Sequence, residues 1–275
     1  MELVGLIPAA GRATRLGTLP CSKEILPLKL AGAGDGPIYE VFADRLLSYY
    51  RAASIRKVFF LLRSGKWDIP AYFGNGHERD MHFSYQIVQH LYGIPFSLRE
   101  AYPFVKDSAV ALGFPDMVVQ PVDCFRQLYA RFDEGKSHLV LGIFPVKTPE
   151  KWDMVRFDED GKIGDILIKE PNQGLKYGWS IALWGPEFSE FLFDYTGKII
   201  AEGADGMITL KDGRSRELYP GDLFMRSLQE GFKVDYLIFD RGSCMDLGTK
   251  TDLSTYISSV PGNDNIEDTI QSPDR

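Results

Sequence analysis

The residues best suited to chemistry stand near the start of the chain, in LIPAAGRATRLGTLPCSKEILPL, residues 6–28. An apolar run ends in Ala9-Ala10-Gly11, and Arg12, Arg15 and Lys23 follow. Small residues at such a point let a ligand approach the backbone, and free amides beyond a strand end bind anions. Arginine clamps phosphate through paired hydrogen bonds, while lysine adds a compact point charge. Cations placed this way suit a polyphosphate. The same composition also suits a solvated loop, and a position directly after the first strand of an α/β sheet favours the phosphate reading. Two rival phosphate motifs fail. A Walker loop would need Lys where Thr18 stands after Gly17, and a dinucleotide GxGxxG is broken by Ala13.

These residues need a frame to hold them. The run LVGLIPAA (3–10) is unbroken and apolar, as in a parallel strand covered on both faces. A helical pattern over 38–53 and a second apolar run over 57–63 complete a βαβ rhythm. Further strands are predicted at 83–89, 117–121 and 137–146, with a helix over 124–135 ending in a glycine cap. Beyond residue 146 the pattern turns to short alternating runs, with hairpin signals at Asp160-Gly161 and Asp212-Gly213. A helix over 219–232 and a strand over 233–240 close this part. The fold class expected is α/β: a doubly wound, mostly parallel Rossmann-like sheet whose second half is antiparallel and faces the substrate. One domain is expected over residues 1–257, its first half at about 1–146 and its second at 147–257. The acidic, polar stretch 258–275 reads as a disordered tail.

Bulk properties narrow the function classes. The chain has 275 residues, 44% of them hydrophobic, enough for a sizeable core. A net charge of -7 argues against a nucleic-acid surface, which needs clustered Lys and Arg. A small charged metabolite fits better. Cys21, Cys124 and Cys244 are far apart and lack CxxC spacing, so no disulfide framework or thiolate zinc site is suggested. His77, His82, His90 and His138 form no triad or ligand spacing. Neither a signal peptide nor an apolar run of about 18 residues is present, so a cytoplasmic protein without membrane contact is expected.

The segment AAGRATRL…SKEILPL resembles the G-x-G-T-R-L-(x)n-P-K-x-L-P signature of the sugar-phosphate nucleotidyltransferases, most closely the glucose-1-phosphate thymidylyl- and uridylyltransferase type. Ala13 takes the place of a glycine. The resemblance implies nucleotide contacts from Ala9, Ala10, Gly11, Arg12, Ala13 and Thr14, and catalytic roles for Arg15 and Lys23. In that family an aspartate after the central strand and another in a late D-x-G-T segment hold Mg²⁺. GFPDMVV (113–119) and CMDLGTKTDL (244–253) put Asp116 and Asp246 at those positions. YQIVQHLYGIPFSLREAY (85–102) is similar to the base-recognition stretch, with Gln89 facing the base and Ser97 where glycine is frequent. ILIKEP (166–171) resembles the sugar-binding E-E-K-P segment with its order inverted. Since strand side chains alternate, Lys169 and Glu170 are then expected on faces opposite to the family's unless a bulge intervenes. KYGWSIALW (176–184) offers Tyr177 and Gly178 to the sugar, or else a packed aromatic strand.

The resemblance spans residues 3 to about 257. It implies transfer of a nucleoside monophosphate from a nucleoside triphosphate to a sugar 1-phosphate, with Mg²⁺ as cofactor and a homo-oligomer left open. Two alternatives stand beside it: a cytidylyltransferase acting on a non-sugar phosphate such as phosphocholine, and a non-catalytic paralogue that binds nucleotide sugar.

Overall fold

The computed structural model describes residues 1–30, 39–169, 174–203, 205–210 and 213–259. The first part of the chain runs β1 (Leu3–Pro8), β2 (Pro27–Leu30), β3 (Tyr39–Val41), α1 (Phe42–Ala52), β4 (Lys57–Leu62), α2 (Asp68–Phe73), β5 (His82–Ile87), α3 (Ile94–Glu100), α4 (Tyr102–Val105), β6 (Ala109–Leu112) and β7 (Met117–Gln120). It continues with α5 (Cys124–Gly135), β8 (Leu139–Pro145), β9 (Asp153–Phe157), β10 (Ile163–Ile168), β11 (Tyr177–Trp184) and α6 (Pro186–Ala201). The last part holds β12 (Met207–Thr209), β13 (Ser215–Glu217), α7 (Pro220–Gln229), β14 (Val234–Ile238), β15 (Ser243–Asp246) and α8 (Lys250–Ser259).

Nine of these strands make the main sheet. β1 pairs in parallel with β4 and with β6, and β4 pairs in parallel with β5. β11 joins β6 antiparallel, β8 joins β11 antiparallel, and β14 lies parallel to β8. The β9–β10 hairpin hangs on β11 where Gly178 meets Met154. This is the mostly parallel sheet expected, with the antiparallel pairings contributed by the second half.

Strand alternation divides the core between the two faces of the sheet. Ile7, Ala109 and Ala111 join Leu46, Tyr50, Phe125 and Leu128 of α1 and α5 on one face. Val4, Leu6, Val110 and Leu112 pack on the other with Phe96, Phe188, Phe191, Leu223 and Phe224 of α3, α6 and α7. Helices on both faces explain why β1 reads as a continuous apolar run. Gly5 permits a close approach: a Cβ there would lie 2.6 Å from the Tyr50 ring. The Tyr50 hydroxyl reaches the carbonyls of Leu6 and Ala111 at 3.0 and 2.9 Å, so α1 is tied to the strands flanking the cleft.

Several expectations shift. Residues 39–41 form a strand, and the helix expected from residue 38 starts at Phe42. β6 is a short buried strand that the sequence pattern did not single out, and α6 was not anticipated either. β7 leaves the main sheet and pairs antiparallel with β15. Gly135 is the last residue of α5, and Lys136 takes the left-handed cap at φ 45°. Both hairpins form, around Gly161 at φ 74° and around Gly213, while Asp212 lies outside the described residues. Residues 258–259 belong to α8, and the rest of the expected tail, 260–275, lies outside the described residues. Among the described residues no helix is long and apolar enough to cross a membrane.

Candidate active site

The loop after β1 forms the floor of a cleft of about 600 Å³. Ala10, Gly11, Arg12, Arg15 and Lys23 line it, as does Ser97 from α3. Ala9 is 1% exposed and donates its N–H to the Leu61 carbonyl at 2.8 Å, so it holds the loop rather than facing the cleft. Ala13 and Thr14 are not among the lining residues. Ala13 holds φ 53°, a left-handed backbone that costs an alanine about 1–2 kcal/mol, which explains why the related signature carries glycine there.

Pairing of β7 with β15 brings two distant carboxylates together. Asp246 stands opposite Met117, one residue beyond Asp116, and the Leu247 N–H donates to the Asp116 carbonyl at 2.8 Å. Lys23 Nζ lies 2.5 Å from Asp116 Oδ2, and Arg15 lies 3.8 Å from Asp246 Oδ2. Burial works against the Lys23 charge, but Asp116 and then Glu24 outweigh it and hold its pKa above the ordinary lysine value. Burial also opposes ionisation of Asp116, yet Lys23 holds that carboxyl below the usual range. Asp246 is raised, by burial and then by repulsion from Asp116. Its Oδ1 accepts the Gly248 N–H at 2.7 Å, and a Cβ on Gly248 would come within 2.8 Å of the Arg15 guanidinium. A side chain at Gly248 would push the Arg15 and Asp246 side-chain ends from these positions.

The segment carrying Lys23 is clasped on both flanks. The backbone N–H and hydroxyl of Ser22 donate to the Asp68 carboxylate at 2.6 and 2.8 Å. Lys66 reaches both oxygens of Glu24 at 2.8 Å, with the two side chains 5% and 0% exposed. Sequence reading passed over this pair. The available signal was a lysine isolated between Gly65 and Trp67.

A second cavity of about 190 Å³ shares Arg15, Ile94, Phe114 and Asp116 with the cleft. Its other walls include Trp152, Asp153, Lys169, Trp179, Tyr219 and Asp246. The expected inversion at residue 169 does not follow strand alternation, because β10 stops at Ile168 and Lys169 turns left-handed at φ 48°. Lys169 Nζ stacks over the Tyr219 ring, 4.0 Å from its centroid. Glu170 lies outside the described residues. Tyr177 and Gly178 line neither cavity, and the Tyr177 hydroxyl donates to Asp240 at 2.7 Å. Gln89 is exposed beyond β5, with its N–H donating to Glu100 at 2.9 Å, and lies outside the cleft lining. Instead that wall is built from Leu91, Tyr92, Gly93 and Ile94, with Asp205, Met207 and Glu217 beside them. Asp153, Trp179 and Tyr219 were missed as site residues. An aspartate entering the apolar run MV at 154–155 was the available signal.

No protein-family model matches the chain, and no curated protein does. Solved structures do. A Bacillus anthracis protein assigned as a glucose-1-phosphate thymidylyltransferase, in complex with sucrose, superposes with a TM-score of 0.75 at 20% identity, covering 94% of each chain. A UDP-glucose pyrophosphorylase complexed with UDP-glucose gives 0.70 at 16% identity, covering 94% of this chain and 98% of the other. The UDP-glucose pyrophosphorylase from Acinetobacter baumannii gives 0.66 at 16%, covering 94% and 92%. A basic loop after the first strand, two facing aspartates and this superposition lead to one conclusion: the chain has the sugar-phosphate nucleotidyltransferase fold.

Proposed function

We propose that the protein transfers a nucleoside monophosphate from a nucleoside triphosphate to a sugar 1-phosphate and releases pyrophosphate. One observation carries this reading. The Lys23–Asp116 and Arg15–Asp246 pairs stand where a cleft of about 600 Å³, lined by Arg12, Arg15, Lys23 and Arg63 among its charged residues, meets a second cavity of about 190 Å³. A triphosphate in the first and an acceptor in the second would meet at those pairs. The solved structures of the same fold, named for the same chemistry, support it.

In the reaction, an oxygen of the acceptor phosphate attacks the α-phosphorus in line, and the bond to the bridging oxygen breaks with its electron pair leaving on pyrophosphate. The acceptor phosphate is already ionised near neutrality, its second pKa being about 6, so a general base is not required. Lys23 meets the α-phosphate as charge builds, and Arg15 steadies the departing pyrophosphate. Lys169 receives the acceptor phosphate. Two neighbouring aspartates that repel one another, Asp116 buried and Asp246 partly exposed, fit a divalent cation, and magnesium prefers few carboxylates with phosphate oxygens and water. Asp116 and Asp246 would hold it, and it supplies charge neutralisation to the phosphates when bound.

The test is pyrophosphate release with Mg²⁺, common nucleoside triphosphates being screened against sugar 1-phosphates and phosphocholine. Release with one pair, lost in Asp116→Asn, is expected. Silence across the panel with nucleotide still bound would overturn the reading.

A further inference from the structure

We propose that Asp153 and Trp179 form a hydroxyl clamp that makes the smaller cavity selective for acceptors with an uncharged, hydroxylated ring. This rests on the reading of that cavity as the acceptor site. Asp153 opens β9 and is 9% exposed, yet its Oδ1 is buried without a hydrogen-bond partner. The Trp179 indole Nε1 is also buried and unpartnered. The indole N–H is near enough to favour the ionised Asp153 carboxyl, yet the two make no full hydrogen bond. Asp153 and Trp179 both line one cavity, so an unmet acceptor and an unmet donor lie just beneath its wall. Leaving either unpaired costs about as much as a lost hydrogen bond, so the pair calls for a group that can both donate and accept.

A hydroxyl does both: it donates to Oδ1 and accepts from Nε1–H. Phe114, Trp152 and Tyr219 add apolar walls against which the C–H face of a ring packs. Other acceptor classes fit worse. A carboxylate-bearing sugar would set like charge against Asp153. A trialkylammonium would be drawn to the aromatic walls and to Asp153, but it cannot accept from the indole and would leave Nε1–H unpaired. It would also meet Lys169, whose ammonium already covers the Tyr219 ring and acts on Asp153. A bound water could bridge the same two atoms, and the variants below decide between water and ligand.

The experiment is calorimetric binding of neutral hexose 1-phosphates, glucuronic acid 1-phosphate and phosphocholine to the whole chain, without turnover. Asp153→Ala is expected to weaken the best neutral hexose 1-phosphate by about 10- to 100-fold, and Asp153→Asn, which keeps an accepting oxygen, by less. Nucleotide affinity, read in the other cleft, should stay within about twofold, showing that both variants fold. Unchanged hexose 1-phosphate affinity in both variants would overturn the proposal. So would the absence of neutral hexose 1-phosphate binding, or tighter binding of either charged competitor. Because binding is read apart from catalysis, missing pyrophosphate release would sink the transfer reading while this result still decides the role of Asp153.

Discussion

Removing the Lys66 charge while leaving Glu24 in place should be one of the most damaging single changes near the cleft. Lys66 Nζ lies 2.8 Å from both Glu24 oxygens, and the carboxylate is 0% exposed. Burial pulls the Lys66 pKa below the ordinary lysine value, with Glu24 opposing, so neither charge has water to fall back on. Breaking a buried pair from one side costs about 3–5 kcal/mol, because the remaining charge stays desolvated. At about 2–4 °C per kcal/mol, Lys66→Met should lower the melting temperature by roughly 6–20 °C. Replacing both partners, as in Glu24→Leu with Lys66→Met, removes the orphan charge and should restore most of that loss. Turnover should not recover with it. Glu24 adjoins Lys23, and without the clasp the lysine loses its fixed position, for which a fall of about 10- to 100-fold is expected. Urea unfolding and steady-state kinetics on the two variants separate the effects. A Lys66→Met loss below about 1 kcal/mol, or full turnover in the stable double variant, would refute the reasoning.

Lys23→Ala and Arg15→Ala should each lower turnover by about 10²–10³, and Arg15→Ala should leave the unfolding midpoint nearly unchanged because that side chain is 63% exposed. Asp246→Asn removes the repulsion that raises this carboxyl beside Asp116, so stability should hold or rise while Mg²⁺-dependent turnover falls by about 10²–10³. Asp153 gives a pH signature: burial first, then Asp222, push its carboxyl from 3.8 to about 6. The native state then binds more protons than the unfolded chain between those values. Stability from this group is therefore fullest at low pH and is lost as pH rises toward about 6, by roughly 3 kcal/mol in all. Asp153→Asn should flatten that slope, read by urea unfolding at several pH values from 4 to 7.

The local parts of the site were legible because their signals are contiguous. A strand, a small-residue turn and spaced cations sit within residues 6–28, and Arg12, Arg15 and Lys23 do line the cleft. Asp116 and Asp246 were singled out through similarity of short motifs, and their meeting depends on β7 pairing with β15 across more than a hundred residues. What stayed hidden is non-local. The Glu24–Lys66 pair, the wall built by Glu217 and Met207, and the cavity face of Asp153 depend on how separate elements pack. Gln89 and Tyr177 show the converse: their residue types suited a site, but Gln89 is exposed with its backbone N–H on Glu100, the Tyr177 hydroxyl bonds Asp240, and neither lines the two cavities. Strand alternation misled at Lys169 because the strand ends one residue earlier.

The most direct test of the account is the reverse reaction, nucleoside triphosphate formation when nucleotide sugars are mixed with pyrophosphate. The account expects one nucleotide sugar to yield triphosphate and sugar 1-phosphate in equal amounts, only with Mg²⁺ and not with Lys23→Ala. A nucleotide sugar that binds the wild-type protein yet never yields triphosphate would contradict it and mark the site as one that holds such a molecule without transforming it.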